Sequence, residues 1–401
     1  MSSASWVDML KFKASYGEQG NDALSVGSYY PYADAYSHSY NPVTGEYSIQ
    51  LVYKGNEDIT WEKKKSFNVG FDFELFGGYL NGSVEYFNQK TDDLLYSKNV
   101  PLSSGNPTGK IPVNVGNIRN EGFEIVLDGS IIKTKNVNWT WNANFSHYKN
   151  TILSLDESVA ESGIKGSYYI YKVGGSLYDG YMYKYAGVDP ANGQALYWQH
   201  VTKKDDNGNI VSEEDVKTPV FSDATQYEIG SILPKLYGGF GTSLNAYGFD
   251  FSVQLSYQLG GKFYDGSYQQ LMHTQNNAGQ AWHVDALKAW TPTNTDTDVP
   301  RMDGDTQVAQ SAVDRFLASS NYLSVNNVTL GYTLPAKWSN AIKLGSIRIY
   351  VAGENLAVLS ARKGLDPRFS MGLGSYTSGS GIGTSSYSAM RTVTGGITVT
   401  F

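Results

Sequence analysis

The sequence Arg391-Thr-Val-Thr-Gly-Gly-Ile-Thr-Val-Thr-Phe401 indicates the fold class most clearly. Counting back from Phe401, every second residue is apolar or glycine, and the residues between are mostly threonine. Such alternation predicts a β-strand with one apolar and one polar face. A terminal strand of this kind is typical of outer-membrane β-barrels, where it closes the barrel with its apolar face towards lipid. On this segment alone, the last strand of a soluble β-sandwich remains the alternative.

The composition favours a membrane barrel over a helical or nucleic-acid-binding protein. The 401 residues include 31 Tyr, 16 Phe and 8 Trp, and a barrel needs such rings for its two interfacial girdles. No stretch approaches the roughly 20 apolar residues of a transmembrane helix. Each strand of a barrel hides half of its residues from lipid, so this absence does not exclude a membrane protein. The formal charge of −7 argues against nucleic acid as a partner.

Two further absences bear on the cellular context. The sequence contains no Cys, which excludes disulfides, thiolate catalysis and Cys-ligated zinc. Residues Met1-Ser-Ser-Ala-Ser-Trp6 lack both the basic start and the apolar core of a signal peptide. We therefore expect that the chain is either a fragment of a longer precursor or a protein that is not exported.

Alternation of the same kind recurs along the chain and is clearest in residues 249–259. There Phe249, Phe251, Val253, Leu255 and Tyr257 are predicted to face lipid, and the residues between them to face the lumen. Further strands are predicted at residues 10–16, 67–75, 80–86, 123–127, 139–145, 236–246, 328–334 and 347–351. With a weaker hairpin at residues 181–188 and 195–198, we expect about twelve antiparallel strands.

Short and long connections alternate between these strands. The short ones lie at residues 76–79, 133–137, 246–248 and 335–344, and the long ones at 19–59, 89–117, 154–178, 199–231, 260–315 and 356–387. Bacterial barrels carry short periplasmic turns on one rim and long extracellular loops on the other. The sequence therefore predicts an all-β fold that forms the wall of an antiparallel transmembrane β-barrel. The turn at residues 189–193 is placed at the periplasmic rim.

Several motifs, each weak alone, occur in one order over essentially the whole chain. They are Leu10-Lys-Phe-Lys-Ala-Ser-Tyr-Gly17 with Gly20-Asn21, Trp61-Glu-Lys63, Phe67-Asn-Val-Gly-Phe-Asp72, Gly82-Ser-Val-Glu-Tyr-Phe87, Lys90-Thr-Asp-Asp-Leu-Leu95, Asn114-Val-Gly-Asn117, Asn120-Glu-Gly-Phe-Glu124, Ala186-Gly-Val-Asp-Pro190 with Gly193, Gly353-Glu-Asn-Leu356 and Gly364-Leu-Asp-Pro367. In this order the sequence resembles the C-terminal part of SusC/RagA-type TonB-dependent transporters of Bacteroidetes outer membranes.

The resemblance has consequences for domain organisation. Family members are about a thousand residues long, with an N-terminal plug, a TonB box and a barrel of about 22 strands. It implies that residues 1–401 are the C-terminal portion of the barrel domain, without the plug and the first strands. We expect such a portion alone neither to transport nor to insert stably, because each unpaired backbone group at an open sheet edge costs several kcal/mol in hydrocarbon.

The resemblance also implies a function, which is TonB-dependent import of oligosaccharides or oligopeptides across the outer membrane. The implied partners are a SusD-like surface lipoprotein, the TonB complex acting through the missing N-terminal part, outer-membrane lipid and lipopolysaccharide, and a glycan or peptide substrate. The chain would supply the lumen wall and extracellular loops. No cofactor is implied.

Two other classes stay open. One is a self-sufficient 12-stranded barrel acting as a passive pore or outer-membrane enzyme, and the other is a soluble, carbohydrate-binding β-sandwich. The five His residues are scattered and form no metal motif or Ser/His/Asp constellation, so we assign no catalytic residue and expect no enzyme. Residues 205–211 depart from the calcium-loop pattern, and we interpret them as a polar hairpin turn.

Three groups of residues are candidates for contacts. Lys63 and Lys65 would lie at the depth of lipopolysaccharide phosphates, although a solvated charge run at a strand end explains them equally well. The long connection 260–315 contains four aromatic residues that either contact substrate or partner or fill the loop core: Tyr264, Tyr268, Trp282 and Trp290. The terminal alternation resembles the signal read by the barrel-assembly machinery, a role assigned to Phe401, Val399 and Ile397.

Overall fold

Ten strands form one antiparallel sheet, as shown by the computed structural model, which describes residues 5–22, 30–166, 168–272, 279, 281–302, 312–361, 366–370 and 389–401. The strands are β1 (Val7–Asn21), β2 (Glu62–Leu75), β3 (Leu80–Asp92), β4 (Gly116–Lys133), β5 (Val137–Leu155), β6 (Leu236–Ala246), β7 (Phe249–Leu259), β8 (Tyr322–Thr333), β9 (Ser346–Ser360) and β10 (Thr392–Thr400). Each pairs with the next along the chain. The all-β prediction is confirmed.

The register separates an apolar from a polar face, as the alternation predicted. Residues directly opposite one another in antiparallel strands share a face. Phe249 lies opposite Tyr332, Tyr332 opposite Ile349, and Ile349 opposite Ile397. On the other face, Arg348 Nε donates to Asp250 Oδ1 over 2.9 Å. The strands therefore carry continuous apolar rows on one side and ion-paired polar groups on the other.

Long and short connections are sorted as predicted. Adjacent strands are joined by short turns at residues 76–79, 134–136, 247–248 and 334–345. At the opposite rim lie five long connections: loop A (22–61), loop B (93–115), loop C (156–235), loop D (260–321) and loop E (361–391). Because the chain reverses direction at every strand, all five long loops leave the same rim.

The loops contain short elements of their own. Their strands are Ala35–Asn41, Glu46–Tyr53, Leu95–Asn99, Lys110–Asn114, Ile164–Lys165, Ile170–Tyr171, Asp179–Tyr183, Tyr185–Val188, Ala195–Lys204, Ile210–Thr218, Gln226–Ser231, Lys262–Tyr264 and Leu317–Ser319. The α-helices are Glu157–Ala160, Gly266–Leu271 and Pro367–Ser370 in loops and Ala336–Ala341 in a turn. The 3₁₀-helices are Leu102–Ser104, Phe221–Asp223, Val284–Lys288 and Asp314–Phe316. In the part of the chain that the structure describes, no helix has the length and apolarity needed to cross a membrane.

The predicted number of strands needs a correction, because the described sheet has ten strands and not about twelve. The weak hairpin at residues 181–188 and 195–198 does form strands, but they pair inside loop C. Period-two alternation marks any strand with one buried face, and it does not tell a wall strand from a loop strand. The turn at residues 189–193 therefore lies on the long-loop side, and its periplasmic placement was wrong.

The sheet is open, with β1 and β10 as its edge strands. Within the described ranges these two strands do not pair with each other. A self-sufficient barrel of this chain would require that pairing, so the structure does not have the arrangement of the small-barrel alternative. Among the described residues, the buried hydrophobic cluster lies in loops C and D rather than in the sheet.

Candidate functional site: a loop cap over the polar face

Loops C and D fold together into one unit, which we call the loop cap. Its core consists of Met182, Ala195, Tyr197, Ile232, Tyr264, Met272, Val299, Val313 and Phe316. Residues from the two loops, which β6 and β7 separate in sequence, are buried against each other. The backbone joins them as well, since Tyr183 N donates to Ala312 O over 2.8 Å. The two loops therefore depend on one another for burial.

Loop C is fastened to the polar face of the sheet. Asn150 of β5 lies on the same face as Asn144 and accepts two hydrogen bonds at Oδ1, from Leu177 N over 2.7 Å and from Ser176 Oγ over 3.1 Å. Next to it, Ile152 and the 174–175 backbone exchange two hydrogen bonds of 2.8 Å. The loop cap thus leans over the polar face, which marks that face as the lumen side and the apolar face as the lipid side.

Loop E begins with a second fastening on the polar face. Arg368 donates to both carboxylate oxygens of Asp366, over 2.9 and 2.7 Å, and to Ser324 Oγ of β8 over 2.8 Å. Burial alone would raise the pKa of Asp366, but the hydrogen bonds and charge of Arg368 hold it below its usual range. Arg368 also reaches Asn355 Oδ1 over 3.5 Å. Two of the motifs that carry the family resemblance therefore meet at this point.

Other family motifs meet at the rim of β1 to β4. Asn21 Nδ2 donates to Glu62 Oε1 over 2.7 Å, and Glu62 Oε2 accepts from Leu95 N over 3.1 Å. Asn114 accepts from Thr60 N over 2.9 Å and donates to Thr60 O over 2.8 Å. Motifs that are weakly diagnostic and far apart in sequence thus contact one another. Their hydrogen bonds connect loops A and B to the strand ends.

The turn at residues 189–193 joins the two loops of the cap. Gly193 has φ +78°, and a Cβ added there would lie 2.5 Å from the Trp290 ring. Arg301 N donates to Gly193 O over 2.9 Å, and Trp290 Nε1 donates to Pro190 O over 3.1 Å. Of the four aromatic candidates, Trp290 is thus engaged in loop packing.

The other three aromatic candidates have different surroundings. Tyr264 is 3% exposed and lies in the core of the loop cap, edge-on to Tyr168 at 5.3 Å. Tyr268 donates to Asp285 Oδ2 over 3.1 Å and is half-buried. Trp282 is 53% exposed, unlike the other aromatic candidates. The sequence did not single out Asn150 and Arg368, which fasten loops C and E to the polar face.

Lys63 and Lys65 lie at the outer end of β2. They are on the same face of the strand as Phe67, and this face is the lipid side. Lys65 Nζ is 2.9 Å from Asp92 Oδ2, and Lys63 Nζ is 3.6 Å from Asp93 Oδ2. The side chains of Lys63 and Lys65 are 48% and 39% exposed, respectively. A lipid phosphate at this site would therefore share the lysines with two carboxylates.

Polar side chains at the exposed ends of the loop cap form hydrogen bonds with neighbouring residues of the same hairpin. His200 Nδ1 lies 2.9 Å from Asp215 Oδ1, and this hydrogen bond raises the pKa of His200. Deeper in the cap, burial raises the pKa of Tyr185 to about 12, against the opposing effect of Arg315. At the tip of the adjacent hairpin, Asp205 Oδ1 accepts from the backbone of residues 207 and 209, which confirms the polar hairpin turn.

Comparison with known proteins places this architecture in a family. The model of the TonB dependent receptor-like β-barrel matches residues 4–356. TonB-dependent receptor P3 of Formosa agariphila is 29% identical over 374 residues, which cover 89% of this chain and 35% of that protein. TonB-dependent receptor SusC of Bacteroides thetaiotaomicron is 27% identical over 356 residues, or 86% of this chain and 32% of that protein. The chain thus spans about a third of these relatives.

A solved structure shows the same fold. The RagAB peptide importer in the 'closed-closed' state superposes with a TM-score of 0.77 at 25% identity, over 99% of this chain and 41% of that chain. Members of the matched family are receptors and transporters, not enzymes. The chain belongs to the TonB-dependent receptor-like β-barrel family, is of the SusC/RagA type, and is an outer-membrane protein.

Proposed function

We propose that the protein containing this chain imports oligosaccharides or oligopeptides across the outer membrane in a TonB-dependent manner. Residues 1–401 are its C-terminal barrel portion and supply lumen wall and extracellular loops. The observation that carries the proposal is the fastening of loops C and E to the polar face, through Asn150 and Arg368. A loop cap that leans over the lumen side restricts free diffusion, as expected of a gated importer rather than an open pore.

A SusD-like surface lipoprotein is the proposed partner. The SusC-type relative and the RagAB structure support this pairing, and RagAB is itself described as a peptide importer. In the proposed sequence of events, substrate is captured beneath the lipoprotein and released to the periplasm once TonB displaces the plug. The energy-coupling step belongs to the plug and the TonB complex, whereas the lumen wall and loops of residues 1–401 guide the substrate.

Uptake in the native host tests the proposal. Cells that carry the full-length gene receive fluorescent oligosaccharides or oligopeptides, in parallel with cells that lack TonB and cells that lack the SusD-like lipoprotein. We expect uptake to fall to background without TonB and to fall strongly without the lipoprotein. Uptake that persists without TonB would instead identify a passive pore.

Lys63 and Lys65 are proposed to hold lipopolysaccharide phosphates. Lys64 provides a matched control, because it lies between them and faces the other side of β2. We expect the double change Lys63→Gln with Lys65→Gln to lower the lipopolysaccharide that copurifies with the receptor, and Lys64→Gln to leave it unchanged. Equal amounts in all three proteins would assign the lysines to their ion pairs alone.

The terminal strand is proposed to carry the assembly signal. Phe401 is 96% exposed, and Ile397 and Val399 lie opposite Ile349 and Ile347 on the lipid side. Deletion of Phe401 is expected to lower outer-membrane insertion of the full-length receptor, whereas Asn207→Ala in an exposed turn is not. Normal surface levels after the deletion would remove this role from Phe401.

A further inference from the structure

The hydrogen bonding of the wall is interrupted at the outer end of β5. This strand pairs with β6 up to Ser146, which lies opposite Tyr237. Further out, the same edge of β5 meets the chain again at Ile152, whose backbone exchanges two hydrogen bonds with residues 174–175 of loop C. The described structure shows no strand pairing on this edge for residues 147–151. We call the resulting opening the wall slot.

Two lysines flank the wall slot. A groove of about 350 Å³ occupies it, and its lining includes Lys149 of β5 and Lys235, which directly precedes β6. Both residues are exposed. In the part of the chain that the structure describes, neither has a carboxylate within 4.0 Å. By contrast, Lys63, Lys65 and Lys90 at the same rim each lie within that distance of an aspartate.

The register places Lys149 on the lipid side, close to the outer surface of the membrane. His147 lies opposite Phe123, and their ring centroids are 5.4 Å apart on the lipid side. Lys149 is two residues further out on the same face of β5. Through the register of β2 to β5, it lies one cross-strand pair inside the row that contains Lys65. The wall slot therefore opens at the edge of the apolar band, where lipid headgroups begin.

The carboxylates beside the wall slot are engaged in other contacts. Glu121 lies opposite Lys149, but its Oε1 is 3.2 Å from Arg119 Nη2. Asp179 is the acidic residue among the described residues that line the groove, and its Oδ2 accepts from Ser176 N over 2.8 Å. Burial raises the pKa of Asp179, which disfavours its charged form. The two lysines therefore give the wall slot a positive charge.

Polar groups complete the lining. His147 Nδ1 donates to Lys235 O over 2.6 Å and so closes the inner end of the wall slot. Alternate residues of an antiparallel strand direct their backbone groups to the same edge, so those of Tyr148 and Asn150 point into the opening, as those of Ile152 do. The wall slot thus combines two cations with backbone hydrogen-bonding groups.

We propose that the wall slot binds a phosphate monoester, and that the phosphorylated glucosamine headgroup of lipopolysaccharide in the outer leaflet supplies it. Each lysine ammonium group has three donors and binds phosphate as a point charge. A groove of about 350 Å³ lies within the range of small-ligand sites. The headgroup would fill the opening where the strands separate. This site is separate from Lys63 and Lys65, and it does not depend on the import function.

Binding of lipid A to the full-length receptor, counted by native mass spectrometry in detergent, tests the wall slot. The reference receptor carries Lys63→Gln and Lys65→Gln, so that the rim lysines do not contribute. We expect it to bind lipid A that has both phosphates. Adding Lys149→Gln with Lys235→Gln should weaken this binding about tenfold or more, because each lysine supplies charged hydrogen bonds. Arginine at both positions keeps the charge and should stay within about threefold of the reference.

Two further ligands separate the phosphate from its source. Dephosphorylated lipid A should bind the reference receptor and its glutamine variant alike, and more weakly than lipid A. Glucosamine 1-phosphate should bind at least about 100-fold more weakly than lipid A, because it has no acyl chains to bury. Lys133→Gln with Lys135→Gln is the matched control, since it removes two exposed charges at the opposite rim and should change nothing.

Four results would overturn the proposal: a glutamine variant that binds lipid A as the reference does, an equal loss in the control variant, dephosphorylated lipid A that binds as tightly as lipid A, or glucosamine 1-phosphate that does so. The last result would make a free phosphosugar the ligand. Heat-modifiable gel mobility shows whether each variant keeps its wall. The comparison of the two lipids on the reference receptor needs no slot variant, so it decides even where a substitution prevents folding.

Discussion

Along the sheet, large apolar side chains lie on the surface: Phe12 is 73% exposed, Tyr16 65% and Ile397 68%. In the loop cap, Met182, Met272 and Phe316 are at most 1% exposed. The sheet needs lipid to cover its apolar face, whereas the loop cap stands in water and must build a core of its own. The sheet and the loop cap thus bury apolar surface in different ways. The same substitution should therefore have different effects on the stability of each.

The largest effect is expected from Phe316→Ala in the core of the loop cap. Truncation of a buried Phe costs about 3–5 kcal/mol, which includes the cavity that it leaves. The cap should become sensitive to trypsin while the wall keeps its heat-modifiable gel mobility. Phe12→Ala is the matched change on the lipid side of β1 and should leave the cap resistant. A cap that stays resistant in both variants would contradict the shared core.

A charge on the lipid side tests the wall. Val253→Arg places a cation on the face that carries Phe251 and Leu255, and at the bilayer midplane this costs about 2–4 kcal/mol. Gln254→Arg, one residue further, points to the lumen side, where the neighbouring Gly241 leaves room. We expect Val253→Arg to impair assembly, read as lost heat-modifiable mobility, and Gln254→Arg to be tolerated. Equal effects would reverse the assignment of faces.

A smaller effect separates loop packing from backbone strain. Gly193 and Gly208 have φ +78° and +85°, but an added Cβ meets the Trp290 ring at Gly193 and nothing within 4 Å at Gly208. Alanine at either position costs about 1–2 kcal/mol for the left-handed backbone. Gly193→Ala should cost about 1–3 kcal/mol more, because Trp290 must move. Limited proteolysis of loop C measures the difference, and equal rates would count against the contact between loops C and D.

The smallest effect concerns pH. Because Asp215 raises the pKa of His200, their contribution to stability is complete below pH 6.5 and is lost as the pH rises through the raised value. NMR titration of His200 in the full-length receptor should give a pKa above 6.5. Asp215→Asn should lower it markedly, and Glu213→Gln, whose carboxylate is 3.9 Å away, should lower it less. An unchanged pKa in Asp215→Asn would exclude the pair.

The wall was predictable to a large extent because its pattern is local. The strand at residues 249–259 and its two faces agree with the prediction. Alternation depends only on the order of neighbouring residues and on contact of one strand face with lipid. Strand ends were less accurate: residues 347–351 were predicted where the strand runs from Ser346 to Ser360. The extension depends on partners in β8 and β10, which no local pattern contains.

The loop cap was predictable only in its composition. Tyr264, Tyr268 and Trp290 were recognised as aromatic residues of one loop, but the sequence left open whether they bind or pack. Alternation predicts wall strands at residues 181–188 and 195–198, but there it reflects a buried face of the cap. The order of residues gave no sign that loops C and D share a core.

The amino-acid sequence was sufficient to predict the all-β fold, the two faces of the strands, the sorting of the loops and the family. These follow from period-two alternation and motif order, which are properties of neighbouring residues. Three features became visible in the folded structure alone: Asn150 fastens loop C, Arg368 fastens loop E, and Phe316 lies in a core with Met182. Contacts between residues far apart in the chain depend on how the whole backbone folds, and no local pattern of neighbouring residues predicts them.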